Sequence, residues 1–287
     1  MGVLFLVATP IGNLEDITMR ALRVLREVRL IAAEDTRHTQ RLLGHYQITT
    51  HCISYHEHNK LARLETILAA LSEGDVALVS DAGTPGVSDP GYELVCACIA
   101  AGYTITPVPG PSAPVAALTA SGLPSDRFVF VGFLPRRGPE RRALLEDLAD
   151  LTLSLVCFEA PHRLAEALAD IRAVLGDRQI VLAKDLTKRF EDLRRCSVDE
   201  ALAWAAGAPP RGEYTLVIAG QPPGGERKRD RKRLLAPAFS EPPSEAEIAR
   251  RLRELRDQGQ GGSTAAKIVA RELGLQKGVV YEVWLNL

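Results

Sequence analysis

What most constrains this chain is an alternation kept up through residue 220. Short apolar runs are each followed by a loop rich in Gly, Pro, Asp and other polar residues, then by an amphipathic helical stretch. The runs expected as strands are Leu4–Ala8, Leu30–Ala33, His51–Ser54, Val76–Ser80 and Thr104–Val108. Between them, Thr18–Val28 sets Leu22, Leu25 and Val28 on one helical face, and Leu61–Leu71 does so with Leu64, Ile67, Leu68 and Leu71. Strands joined through helices imply a mostly parallel sheet. The pattern pauses after Gly122-Leu123-Pro124 and restarts with strands over Phe128–Phe133, Leu153–Phe158, Gln179–Ala183 and Tyr214–Ala219. Helices are expected over Arg141–Ala149, His162–Leu175 and Val198–Ala206. The expected class is therefore α/β, with one α/β domain over 1–123 and a second, with its own sheet, over 124–220. Gly220–Gly225 breaks the composition, and the basic run Arg227–Arg233 and the prolines Pro237, Pro242 and Pro243 mark a linker over 221–243. Residues 244–287 read as a helical, helix-turn-helix-like unit. Ser244 and Glu247 form a capping box for a helix towards Asp257, followed by Ser263–Leu273, with Ser263 or Thr264 as N-cap, and Lys277–Leu285.

The loop Ser80–Gly91 follows the apolar run Val76–Val79. In open α/β sheets ligands bind just past the carboxyl ends of strands. Gly83, Gly86 and Gly91 allow close backbone approach, while Pro85 and Pro90 stiffen the path. Asp89 with Pro90 is also placed to N-cap the next helix. Four further loops stand at the same end of their strands: Thr9–Asn13, Glu34–Thr39, Tyr55–Asn59 and Pro109–Ala113. Any one is an ordinary turn; five together predict the rim of a cleft.

Composition excludes several classes. A formal net charge of −1 gives no overall field for nucleic acid. The five cysteines are odd in number and scattered, which argues against a disulfide framework or a zinc pattern. Val3–Ala8 lacks a basic flank and is too short for a signal or a membrane span, and Leu6 stands where a myristoylation motif needs Ser or Thr. The expectation is a cytoplasmic protein without membrane contact. His56-x-His58 lacks a nearby third metal ligand, so a hydrogen-bonding or substrate-contact role is favoured, and no metal is expected. Gly259–Thr264 lacks the Gly-Lys-Ser/Thr ending of a phosphate loop, and the first strand lacks G-x-G-x-x-G, which argues against a nicotinamide enzyme. Arg227–Arg233 and the nearby Lys267, Arg271 and Lys277 tilt the tail towards RNA.

Taken together, the loops resemble the tetrapyrrole methylase fold family, and within it the branch directed at ribosomal RNA. The matching segments are Thr9–Leu14, Ala33–His38, Ser80–Pro85 with Asp89–Gly91, and Pro109–Ala113. Gly122–Phe128, Gly132–Pro135, Glu159–Arg163, Leu186–Lys188 and Gly212-Glu213 extend the likeness over residues 3–220. Departures are Ala160, where Ser is commoner, and Lys184-Asp185, where Arg-Glu is usual. The resemblance implies two methylase-type α/β domains with S-adenosyl-L-methionine in the cleft between them. It further implies a homodimer that methylates the ribose 2′-hydroxyl of a cytidine in the decoding region of 16S rRNA, within the small ribosomal subunit. Carried over residue by residue, Ser80, Asp81, Ala82, Gly83, Thr84, Pro85, Val87, Asp89, Ser112 and Ala113 would hold the methionine and ribose of the cofactor. Phe158, Glu159, Leu186, Leu216 and Val217 would clasp its adenine. Pro10, Gly12, Asn13, Glu34, Arg37, His38 and His56 would face the substrate, with Lys267 and Arg271 on the tail.

A sulfonium methyl donor is already activated, so positioning supplies much of the rate, roughly 7–11 kcal/mol of a barrier. The ribose hydroxyl is a poor nucleophile and profits from a general base, for which Glu34, Asp35, His38 and Asp89 are candidates, with Lys188 if its pKa were depressed. Two other readings compete, a methyltransferase for a small tetrapyrrole and a non-catalytic RNA-binding assembly factor. The first and second loops and the tail disfavour the former, and the intact acids and glycine loop disfavour the latter.

Overall fold

The computed structural model describes residues 2–207, 209–222, 244–273, 275 and 277–287. They belong to two compact units, Met1–Arg231 and Lys232–Leu287. In the first unit β1 (Val3–Val7), β2 (Leu30–Ala33), β3 (Cys52–Ser54), β4 (Val76–Val79) and β5 (Thr104–Val108) form a sheet of order β3-β2-β4-β1-β5. Every pairing in it is parallel. The helices α1 (Met19–Glu27), α2 (Thr36–His45), α3 (Lys60–Glu73), α4 (Tyr92–Ala100) and α5 (Ala113–Ser121) alternate with the strands. All residues of β2 and β4 are buried, because both faces of the sheet carry apolar cores. Leu25, Ile31, Leu42 and Ala77 belong to one core, and Leu4, Ile67, Leu78 and Leu94 to the other.

Two local expectations need correction. The Glu34–Thr39 segment is only briefly a loop. The Asp35 carboxylate accepts the Arg37 amide hydrogen at 2.8 Å, and α2 starts at Thr36, so Arg37 and His38 stand in its first turn. Asp89, in contrast, caps nothing: α4 starts at Tyr92 with Gly91 as its N-cap. The Asp89 side chain instead lines a cavity.

The second sheet is built from β6 (Phe128–Phe133), β7 (Ser154–Glu159), β8 (Gln179–Lys184), β9 (Asp192–Ser197) and β10 (Tyr214–Ile218), in the order β6-β7-β10-β8-β9. Only β6 and β7 run parallel; β10 is antiparallel to both β7 and β8, and β9 to β8. The edge strand β9 was not foreseen, because Asp-Leu-Arg-Arg-Cys-Ser has no apolar run. Helices α6 (Gly138–Leu148), α7 (Leu164–Leu175) and α8 (Val198–Gly207) bury Leu145, Leu168, Ile171 and Ala201 against Leu155, Leu182 and Leu216. The first sheet's α5 packs on β7 and β10, which joins the two sheets.

In the second unit α9 (Glu245–Asp257), α10 (Gly262–Leu273) and α11 (Lys277–Leu285) enclose a core of Ile248, Leu252, Leu255, Ala265, Val269 and Val280. The Ser244 hydroxyl accepts the Glu247 amide hydrogen at 3.3 Å, as a capping box requires. Neither Ser263 nor Thr264 is an N-cap, since α10 begins at Gly262 and Thr264 and Ala265 donate to the Gly261 carbonyl. The basic run Arg227–Arg233 and the Arg271 and Lys277 side chains lie outside the described residues. Among the described residues no helix is long and apolar enough to cross a membrane.

Candidate functional site

The loops leaving β1, β4 and β5 are fastened to one another. Thr9 and Gly83 exchange backbone hydrogen bonds at 2.8 and 3.0 Å, forming an isolated bridge between the first and fourth strand-end loops. The Thr9 hydroxyl donates to the Ser80 carbonyl at 3.1 Å, and the Thr84 hydroxyl to the Pro111 carbonyl at 3.3 Å. Gly83 has φ 80°, a left-handed conformation that a side chain would strain.

These loops form one wall of a cavity of about 380 Å³. That wall contains Ile11, Ala82, Gly83, Thr84, Val87, Ser88, Asp89, Ser112, Ala113 and Pro114. The opposite wall comes from the second sheet: Phe133, Phe158, Glu159, Ala160, Pro161, Ala183, Leu186, Glu213, Tyr214 and Thr215. Phe158 packs edge-on against Phe130 and obliquely against Phe133, with ring centroids 5.2 and 5.3 Å away. The walls touch at Gly12, where a Cβ would fall 2.8 Å from the Leu186 carbonyl oxygen and 2.5 Å from Lys188 Cγ. Only glycine permits that approach.

Charge is divided between the walls. On the first side the Asp81 amide donates to Glu34 Oε2 at 3.3 Å, and Asp81 Oδ1 accepts from the Asp35 amide at 3.0 Å. Burial pushes the Asp89 carboxyl up to about 6, with the negative charges of Glu34 and Asp81 adding to it. Burial also raises Glu34, opposed by the Asp81 amide. Asp35 is the contrary case, since its hydrogen bonds from Arg37 hold it far below the usual carboxylate range. On the second side Lys188 Nζ is 2.7 Å from Glu213 Oε2 and 3.5 Å from Asp185 Oδ1. Burial alone would lower the Lys188 ammonium, but these carboxylates outweigh it and raise its pKa. A neutral, proton-accepting Lys188 is thereby disfavoured. The Glu159 carboxylate is fully buried; its Oε1 accepts from Arg163 Nε and the Ala160 amide, both at 2.7 Å, while Oε2 has no partner in the protein.

Ten of the residues expected at the cofactor line the cavity or its mouth: Ala82, Gly83, Thr84, Val87, Asp89, Ser112, Ala113, Phe158, Glu159 and Leu186. Ser80, Asp81 and Pro85 do not line it; Ser80 and Asp81 instead tie the loop to Thr9 and Asp35. Leu216 and Val217 do not line it. Because β10 runs antiparallel, its first residues meet the cavity: Tyr214 pairs with Glu159, and Thr215 with Phe158 and Ala183. Leu216 and Val217 sit deeper in the strand, fully buried. Of the substrate-side residues, Pro10 and Gly12 adjoin Ile11 at the walls' contact, and Asn13 Oδ1 is engaged locally by the Glu15 amide. Arg37 and His38 are exposed on α2, and Arg37 Nη2 lies 2.7 Å from Asp35. His56 has a buried, unpartnered Nδ1. Lys267 is exposed on α10, in the separate second unit. Phe133 was missed, though a signal existed: Gly132 (φ 68°) sits in a register shift of β6, the kind of bulge that re-aims its neighbour. Among the described residues no group of three or more His, Cys, Asp or Glu is placed to hold a metal ion.

The chain is similar to known proteins over its whole length. It is 47% identical over 289 aligned positions to the ribosomal RNA small subunit methyltransferase I of Synechocystis sp., covering 100% of this chain and 99% of that one. It is 50% identical to the protein of that name from Escherichia coli O157:H7 over 76% of this chain and 78% of that one. The namesake from Thermotoga maritima is 48% identical, and its entire length (100%) aligns with 77% of this chain. Among solved structures, the methyltransferase CobJ superposes with a TM-score of 0.59 at 20% identity, over 77% of this chain and 95% of that one. The uroporphyrin-III-C-methyltransferase of Thermus thermophilus does so at 0.54 and 22%, over 76% and 94%. The family model for tetrapyrrole (corrin/porphyrin) methylases matches residues 3–202. Because that model spans most of the chain, over both α/β sheets, the chain belongs to the tetrapyrrole methylase family.

Proposed function

We propose that this protein uses S-adenosyl-L-methionine to methylate 16S ribosomal RNA. The proposed target is the ribose 2′-hydroxyl of a cytidine in the decoding region, methylated by a cytoplasmic homodimer working on the small subunit. The observation that carries this reading is the end-to-end likeness to a relative named as a ribosomal RNA small subunit methyltransferase. The cavity fits the cofactor on two counts. Its Gly83 cradle admits a ligand against bare backbone, and Glu159 Oε2, buried without a partner, is an acceptor suited to the hydroxyl or amino donors of such a molecule. Ala82–Thr84, Ser112 and Ala113 would hold its methionine and ribose, and Phe158, Glu159, Leu186, Tyr214 and Thr215 its adenine. When bound, the sulfonium supplies an activated methyl group.

The chain's own task is then to place the hydroxyl and accept its proton. Asp89 suits the second role, because it lines the cavity and burial sets its pKa near 6. Glu34 shares that charge cluster. Asp35 is committed to capping α2 and to Arg37, and Lys188 is held as a cation that orients rather than deprotonates. The organisation proposed is a methylase domain over 1–123, a second over 124–220, a linker over 221–243 and an RNA-contact unit over 244–287.

The test is to supply methyl-labelled cofactor with 30S subunits, naked 16S rRNA or a uroporphyrin-type tetrapyrrole, then digest the RNA to nucleosides. Label in 2′-O-methylcytidine is expected. Label on a base, or only in the tetrapyrrole, would overturn the reading.

A further inference from the structure

The turn between β8 and β9 carries a pair of side chains that the cofactor site does not use. Phe190 is 72% exposed, although it is a large aromatic, and the Arg189 guanidinium stands over its ring, 5.5 Å from the centroid. A ring left in solvent adds little to the folded core and is open to contact with a partner.

The backbone beneath the pair is held rigidly. Asp185 and Thr187 both have positive φ, at 49° and 65°, and a Cβ on Gly212 would strike the Asp185 carboxylate at 2.3 Å. The Lys188 amide donates to the Asp185 carbonyl at 2.9 Å, the Glu191 amide to the Lys188 carbonyl at 3.0 Å, and the Thr187 amide to Glu191 Oε2 at 2.5 Å. At one end of this turn Leu186 lines the cavity, and Lys188 reaches Glu213 on the cavity wall. The turn thus presents an exposed aromatic ring with the Arg189 cation beside it, four residues on from the cavity-lining Leu186.

We propose that Phe190 is a stacking platform for an unpaired RNA base next to the nucleotide being methylated, with Arg189 on the neighbouring phosphate; this rests on the ribosomal RNA reading above. The argument is chemical complementarity. Single-stranded RNA offers π-faces spaced along an anionic backbone, and exposed aromatics interleaved with Arg and Lys are the surface that takes it. A ribose hydroxyl can enter a cavity only if its nucleotide leaves the helix stack. The neighbouring base then needs a new stacking partner outside the cavity.

The test compares Phe190→Leu, Phe190→Trp and Arg189→Ala in the full chain, titrating labelled 16S rRNA fragments at several salt concentrations and cofactor by calorimetry. Phe190→Leu should bind RNA about tenfold more weakly, with unchanged cofactor affinity and an unchanged salt slope. Phe190→Trp should retain binding, and its emission should be quenched by RNA. Arg189→Ala should flatten the slope of log affinity against log salt by about 0.7, the single-strand value for one phosphate. Wild-type RNA affinity in Phe190→Leu, or loss in Phe190→Trp equal to that in Phe190→Leu, would overturn the platform. Wild-type protein that binds cofactor but no rRNA would overturn the parent reading instead.

Discussion

The two sheets of the catalytic body solve the same problem in different ways. The first is wholly parallel, so all five carboxyl ends fall on one edge, and glycines, hydroxyls and carboxylates collect there. The second is mixed, and its contribution comes from the carboxyl ends of β6, β7 and β8 but the amino end of β10. One wall is therefore loop-built, with its carboxylates clustered together, and the other is aromatic, with Glu159 paired to Arg163 and with Glu213 and Asp185 paired to Lys188. A parallel sheet gathers chemistry at one edge by topology alone. A mixed sheet has to be read strand by strand.

The largest expected effect tests whether proton acceptance belongs to the acidic wall. Asp89→Asn should lower turnover by about 10²-fold or more while leaving cofactor affinity within a few-fold, measured by single-turnover methylation and calorimetry. Its stability should respond in the opposite sense. Asp89 has its pKa raised from 3.8 to about 6, so the folded chain holds the proton more tightly than the unfolded one. The stability this confers is complete below about pH 4 and is lost as pH rises through about 6. Asp89→Asn should accordingly melt a few degrees above wild type in mild alkali, and the gap should close on acidification. A variant with normal turnover would remove Asp89 as the base and leave Glu34 as the candidate on this wall.

The contact between the walls is broken most directly at Gly12. Gly12→Val drives a side chain into the Leu186 carbonyl and the Lys188 stem, and overpacking of this kind costs about 1–3 kcal/mol. Cofactor affinity should fall in proportion, by about ten- to a hundredfold, with the melting point lowered. Unchanged affinity would mean that the walls bind independently.

A smaller effect separates Asp35 from its neighbours. Asp35→Asn keeps an N-cap and should leave turnover close to wild type, whereas Asp35→Ala should cost about 1 kcal/mol of stability through the lost cap. Large loss of turnover in Asp35→Asn would return this residue to the chemistry. The smallest effect is assigned to the tail. Lys267→Ala should reduce the salt slope of RNA binding by no more than about 0.9 and leave cofactor binding untouched.

The centre of the first sheet was legible because burial on both faces makes β2 and β4 continuous apolar runs. Val76–Val79 is the clearest case. Helix α2 was hidden because Glu34–Thr39 is polar and carries cap and first turn in what looks like a loop. Strand direction is invisible to composition. Tyr214–Ile218 was found as a strand, but its antiparallel sense moves the cavity contact from Leu216 and Val217 to Tyr214 and Thr215. Nor could apolar spacing reveal β9, in which Leu193 and Cys196 stand three apart among Asp192, Arg194 and Arg195, without the alternation of a strand. Gly132 and Gly212 were visible in the sequence, but their purpose was not, since each answers to a side chain far away in the chain.

The bridge between Thr9 and Gly83 has a thermodynamic consequence. Two loops 74 residues apart in sequence are ordered by each other when the chain folds, through paired hydrogen bonds of 2.8 and 3.0 Å. The entropy of fixing that wall is lost during folding, so an arriving ligand has little of it left to lose. Association on this side should be a single fast phase whose rate follows ligand concentration, without the slow isomerisation of a site that closes after its guest arrives.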